Sequence, residues 1–167
     1  MSSSILLLGS ANSGKSLLVE SLKYFLRHNQ VPSISDCPRC RSTVGRESYT
    51  LHSNAISINI TELGSSILSL WMDFSSNFSK FLFIVDDLSF DTSVFDCLSF
   101  LQGLSSMPNS FSFSVLVLLN GFGCDVTHWD PLNIVIERFR LCFYSFHVRT
   151  FSNDSTCFNG LIDWMTS

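Results

Sequence analysis

The segment Gly9-Ser10-Ala11-Asn12-Ser13-Gly14-Lys15-Ser16 sets two glycines, a lysine and a hydroxyl at the spacing G-x-x-x-x-G-K-[ST]. That spacing suits the gripping of a phosphate chain. Glycines let main-chain N–H groups close around an anion, a helix starting at the loop's end adds favourable dipole, and the lysine supplies a point charge. A hydroxyl directly after the lysine suits Mg²⁺. Gly9, Asn12, Ser13, Gly14, Lys15 and Ser16 are therefore the candidate phosphate-binding residues. The plainer reading is a Gly-Ser connection with a surface lysine, and the flanking sequence argues against it. Ile5-Leu6-Leu7-Leu8 reads as a buried strand, and residues 16–26 carry apolar side chains at helical spacing.

The remaining elements alternate in the same way. Ala55–Thr61 alternates apolar and polar residues, and Tyr49–His52 before it reads as its antiparallel hairpin mate. Phe81–Val85 and Val115–Leu119 are unbroken apolar runs, as expected for strands covered on both faces. Leu141–Val148 reads as a last strand, with helices expected over Thr92–Leu104, Pro131–Phe139 and Cys157–Met165. The pattern predicts one α/β domain over residues 1–167: a doubly wound, mostly parallel sheet with one antiparallel edge strand. The ligand is expected at the carboxyl ends of the strands. Residues 28–48 lack periodicity, and a loop of that length is usually functional or disordered.

Composition narrows the partners. The net charge is −4 with only 10 Lys+Arg, so no basic face is available for a nucleic acid. Hydrophobic residues make up 46% and charged ones 14%, with 16 phenylalanines, which calls for a generous core or a covering partner. Phe74, Phe78 and Phe90 are candidates for such an exposed surface. The longest apolar runs hold five residues, too few to span a bilayer. The N-terminal serines lack signal-peptide character and a myristoylation glycine, and the C-terminus lacks a prenylation box, so no direct membrane anchor is expected. Of the six cysteines only Cys37 and Cys40 form a C-x-x-C, half a zinc site; reduced thiols are expected.

Further motifs follow the phosphate loop in order: Ser42-Thr43-Val44-Gly45, Glu62-Leu63-Gly64-Ser65-Ser66, Asn120 closing an apolar strand, and Phe151-Ser152-Asn153. This order and spacing resemble the small GTPases, and in particular the ADP-ribosylation-factor-like branch, with its P-T-[IV]-G first switch and W-D-x-G-G-Q second switch. The resemblance covers nearly the whole chain, although only the phosphate loop is specific by itself. It implies the P-loop fold of small GTPases with helices on both faces, GTP or GDP with Mg²⁺ as ligands, and effector and regulatory proteins as partners through the switch segments. It also implies a monomer in the cytoplasm, recruited to membranes or cilia by partners, in membrane traffic. By the same resemblance, Lys15 would hold the β- and γ-phosphates, Ser16 and Thr43 would bind Mg²⁺ directly, and Glu62 would bind it through water where the family usually has Asp. Gly64 and Ser65 would meet the γ-phosphate, Asn120 would serve the base loop, and Ser152 would offer its N–H to the base.

The departures from the family pattern bear on activity. The water-orienting glutamine falls at Ser66, whose hydroxyl is too short to bridge to an attacking water, so no catalytic residue is assigned and hydrolysis is expected to be slow or absent. The N-K-x-D base motif reads Asn120-Gly121-Phe122-Gly123, without the packed lysine stem and without the carboxylate that accepts from guanine. Losing a charged partner to buried donors costs roughly 1–3 kcal/mol or more. A nucleotide-dependent switch and a pseudo-GTPase interaction module that binds nucleotide weakly, without selectivity or not at all therefore both stand. A P-loop small-molecule kinase is a third reading, disfavoured because the arginines form no lid.

Overall fold

The computed structural model describes residues 2–37, 40–53, 56–108, 112–121, 137, 139 and 142–167. Its strands are β1 (Ser2–Gly9), β2 (Arg46–Ser53), β3 (Ile56–Leu63), β4 (Lys80–Asp86), β5 (Ser114–Asn120) and β6 (Ser145–Thr150). They form one sheet in the order β2-β3-β1-β4-β5-β6. β2 pairs antiparallel to β3, and all other pairings are parallel. The helices among the described residues are α1 (Lys15–His28), α2 (Trp71–Ser75), α3 (Phe90–Ser105) and α4 (Ser155–Thr166).

Strand periodicity explains the two cores. Successive strand side chains point to opposite faces, so Leu6, Leu8, Phe81, Phe83, Val85, Val115 and Val117 face α2 and α3. Ile5, Leu7, Leu82, Ile84, Leu116 and Leu118 face α1 and α4. The unbroken apolar runs are thus strands buried on both sides. Each fully buried Leu, Ile or Phe contributes about 1.5–3 kcal/mol of transfer free energy.

The phenylalanines are largely consumed here. Trp71 packs edge-on against Phe83 and Phe100, and Phe81 packs against Phe100 and Phe113. Phe74, Phe78 and Phe90, expected as exposed contacts, are half-buried against this same cluster. Strand ends also moved: the last strand begins at Ser145 rather than Leu141, and the hairpin runs from Arg46 to Leu63. Ladder pairing extends a strand past the residues whose side chains alternate. The helix expected over Pro131–Phe139 lies almost wholly outside the described residues, as do Gly123 and Cys124. Among the described residues no helix is long and apolar enough to cross a membrane.

Candidate functional site

β1 sits centrally, and its carboxyl end opens into the glycine-bounded loop. Gly9 closes the strand with φ of 151° and Asn12 adopts φ of 60°, a left-handed conformation that asparagine tolerates. Gly14 has φ of 91°, and a Cβ there would meet the Asn120 side-chain nitrogen at 2.9 Å. Only glycine meets both demands. Asn120 at the end of β5 donates its amide to the Ser13 carbonyl (3.1 Å), so β5 clamps the loop from beside. The Ser13 hydroxyl is buried without a hydrogen-bond partner. Such an orphan is unusual in a folded chain and fits a loop that completes its bonding around a ligand.

Lys15 begins α1 and is almost fully buried. Its Nζ donates to the carbonyl oxygens of Gly9 (2.8 Å) and Ser10 (2.7 Å), which bend the ammonium back over the loop. Burial pushes its pKa below the ordinary lysine value, while the charges of Glu62 and Asp96 pull the other way. A buried cation held only by neutral carbonyls is well suited to an anion.

Ser16, Thr43 and Glu62 come from three separate segments and meet beside it. Ser16 Oγ donates to Glu62 Oε1 (2.9 Å), Thr43 Oγ1 donates to the same oxygen (2.8 Å), and the two hydroxyls lie 3.2 Å apart. Glu62 is 1% and Thr43 7% exposed. Three hard oxygen donors gathered at one point are a set that Mg²⁺ accepts. Tyr49 stands behind: its hydroxyl donates to Glu47, lies 3.4 Å from Glu62 Oε2, and has its pKa raised by burial and by these two carboxylates. Register explains the placing, since Glu47 lies directly opposite Glu62 and Tyr49 opposite Ile60. The sequence reading missed Tyr49; the signal was its two-residue offset from Glu47 on one face of the hairpin.

Gly64 joins the second candidate segment to the first. Its N–H donates to the Gly45 carbonyl (2.7 Å), and its carbonyl accepts from the buried Trp71 indole (3.2 Å). A Cβ on Gly64 would collide with the Thr43 carbonyl oxygen. Gly64→Ala is expected to force these segments apart and destabilise the fold by about 1–3 kcal/mol, as overpacking does; thermal unfolding followed by circular dichroism reads this directly.

Other expected site residues lie further out. Ser65 and Ser66 open a 3-10 turn (Ser65–Leu70), with Ser66 exposed. Ser152 is exposed, and its hydroxyl bonds Asp154, the cap of α4. Asn153 ties that loop to the Pro32 carbonyl (3.1 Å). Cys37 hydrogen-bonds Ser21 Oγ (3.4 Å), and among the described residues no group of three or more His, Cys, Asp or Glu gathers as a metal site.

Comparison with known proteins agrees with this geometry at the level of fold. No protein-family model matches the chain, and no curated protein matches it in sequence. The structure of the Arl6 BBS3 small GTPase from Trypanosoma brucei, with bound nucleotide analogue GppNp, superposes with a TM-score of 0.69 at 16% identity. The match covers 99% of this chain and 95% of that one. The fold is therefore the P-loop fold of small GTPases: a six-stranded, mostly parallel sheet with one antiparallel edge strand and helices on both faces.

Proposed function

We propose that the chain is a guanine-nucleotide-binding regulatory switch of the ADP-ribosylation-factor-like type, forming one domain over residues 1–167. Its motifs resemble those of ADP-ribosylation factor-like protein 16. The observation that carries this reading is the meeting of Ser16, Thr43 and Glu62 at one point beside a buried Lys15. The N–H groups of residues 12–16 and Lys15 would hold the phosphates of GTP or GDP; Ser16 and Thr43 would hold Mg²⁺ directly and Glu62 through water, and the metal would supply charge neutralisation. Thr43 belongs to the 40s loop and Gly64 touches that loop, so ligand at this point orders both segments together.

Support for an effector surface comes from the same segments: Val44 beside Thr43 is 83% exposed, and Leu68 and Leu70 project from the following turn. Protein partners bind there, the chain acts as a monomer, and it works in the cytoplasm in membrane traffic, brought to membranes or cilia by partners. Hydrolysis is slow or absent, because Ser66 replaces the water-orienting amide and its short side chain faces solvent.

The pseudo-GTPase module is favoured by one feature of its own. Gly121 and Gly123 remove the lysine stem and carboxylate from the base loop, which predicts weak discrimination between guanine and adenine. Calorimetric titration with GTP, GDP and ATP, with and without Mg²⁺, tests both. Guanine-selective, Mg²⁺-dependent binding below about 10 μM, near −7 kcal/mol, supports the switch. Equal or absent binding of GTP and ATP supports the module.

A further inference from the structure

A chain of polar side chains with no part in holding phosphate or metal runs from β4 through α3 to the phosphate loop. Asp86 accepts from the N–H (3.2 Å) and hydroxyl (3.1 Å) of Ser89. Ser89 Oγ lies 3.4 Å from Ser93 Oγ, Ser93 donates to Ser10 Oγ (3.0 Å), and Ser10 donates to Asp96 Oδ2 (2.9 Å). Ser93 is fully buried, and Ser10 and Asp86 nearly so. A buried path of this kind is retained only where its members satisfy one another.

We infer that Asp96 is a specificity-determining residue for the charge state of the bound nucleotide, its fixed negative charge favouring a nucleoside diphosphate over a triphosphate. The inference rests on the proposed nucleotide site. Ser10 joins the two ends: its hydroxyl spends its one proton on Asp96, and its carbonyl accepts from Lys15 Nζ at 2.7 Å. The hydrogen bonds run from Ser93 to Ser10 to Asp96 and fix the carboxylate against the loop. Asp96 also acts on Lys15 through space, second among its charged neighbours after Glu62. A phosphate chain gripped by Lys15 and the loop amides would therefore lie within the field of this carboxylate, which is anchored to the loop through Ser10. The additional charge of a third phosphoryl group is repelled more than that of two, and a partly buried setting screens the difference weakly.

Two variants separate charge from geometry. Asp96→Asn keeps an oxygen to accept from Ser10 and removes the charge. Ser10→Ala keeps the charge and removes the anchor. Affinities for GTP and GDP are measured by calorimetry with Mg²⁺ at one low salt concentration, with thermal melting as the check of fold. Asp96→Asn is expected to move the GTP-to-GDP affinity ratio toward GTP by about three- to tenfold. Ser10→Ala is expected to change both affinities together and to leave the ratio within about twofold. A ratio unmoved by Asp96→Asn in a chain that binds both nucleotides overturns this inference alone. Absence of binding to the unaltered chain overturns the proposed site as well. Should Asp96→Asn melt early, Asp96→Glu, which keeps the charge, must hold the original ratio; a shifted ratio there also overturns it.

Discussion

Replacing Lys15 with Ala is expected to weaken GTP and GDP binding at least about a hundredfold, near 2.7 kcal/mol, since charge-assisted hydrogen bonds to phosphate are the strong ones. The fold should survive. Among the described residues the ammonium bonds only the Gly9 and Ser10 carbonyls, both on the loop itself, and its burial already disfavours the charged form. Removing it costs two hydrogen bonds and relieves a desolvated charge, so the melting temperature should move little. Lys15→Arg should fail to restore binding, because a planar fork cannot take the place of a compact point charge in a loop closed by Asn120.

The same lysine gives a pH dependence whose sign is fixed. In the free chain burial lowers its pKa below the ordinary lysine value; bound phosphate would raise it again. Below the lowered value both states hold the proton, and affinity is flat with pH. Between the two values the free chain has lost its proton and binding must take one up, so affinity falls as pH rises. A fluorescent-nucleotide titration repeated from neutral to alkaline pH reads the slope, which should vanish in Lys15→Ala.

How much of this was legible before any coordinates follows from which contacts are local in sequence. The loop at residues 9–16 is read from one short segment, because strand, turn and helix follow each other directly. The doubly covered strands are legible for a similar reason: continuous apolar runs have few alternatives. The gathering of Ser16, Thr43 and Glu62 came from family resemblance rather than from spacing, since contacts across 27 and 46 residues leave no periodic trace. Asp96, Ser93 and Tyr49 were missed entirely. Each is one of several polar residues in its helix or strand, and which of them turns inward depends on helix phase and strand register. The half-buried Phe74, Phe78 and Phe90 were misjudged because composition counts rings without saying where a short helix such as α2 presses them.

Glu62 offers the second large effect. Its Oε1 holds both Ser16 and Thr43, and its other oxygen faces the Tyr49 hydroxyl. Glu62→Ala should leave Ser16 and Thr43 without their common acceptor and reduce the Mg²⁺-dependent part of nucleotide affinity by about tenfold or more, the cost typical of losing a group that orients metal ligands. The Mg²⁺-independent part, carried by Lys15 and the loop amides, should remain. Stability should change less than a buried carboxylate suggests, because Glu47 lies directly across the hairpin and the two charges repel. Glu62→Asp separates contact from charge. Its shorter stem draws the carboxylate back from the two hydroxyls while keeping the charge. If Glu62 acts through its charge, the aspartate chain keeps its response to Mg²⁺ in a magnesium-titrated binding assay. If it acts by holding Thr43 in place, the aspartate chain loses that response as the alanine chain does, and the 40s loop, rather than the carboxylate, is what the metal depends on.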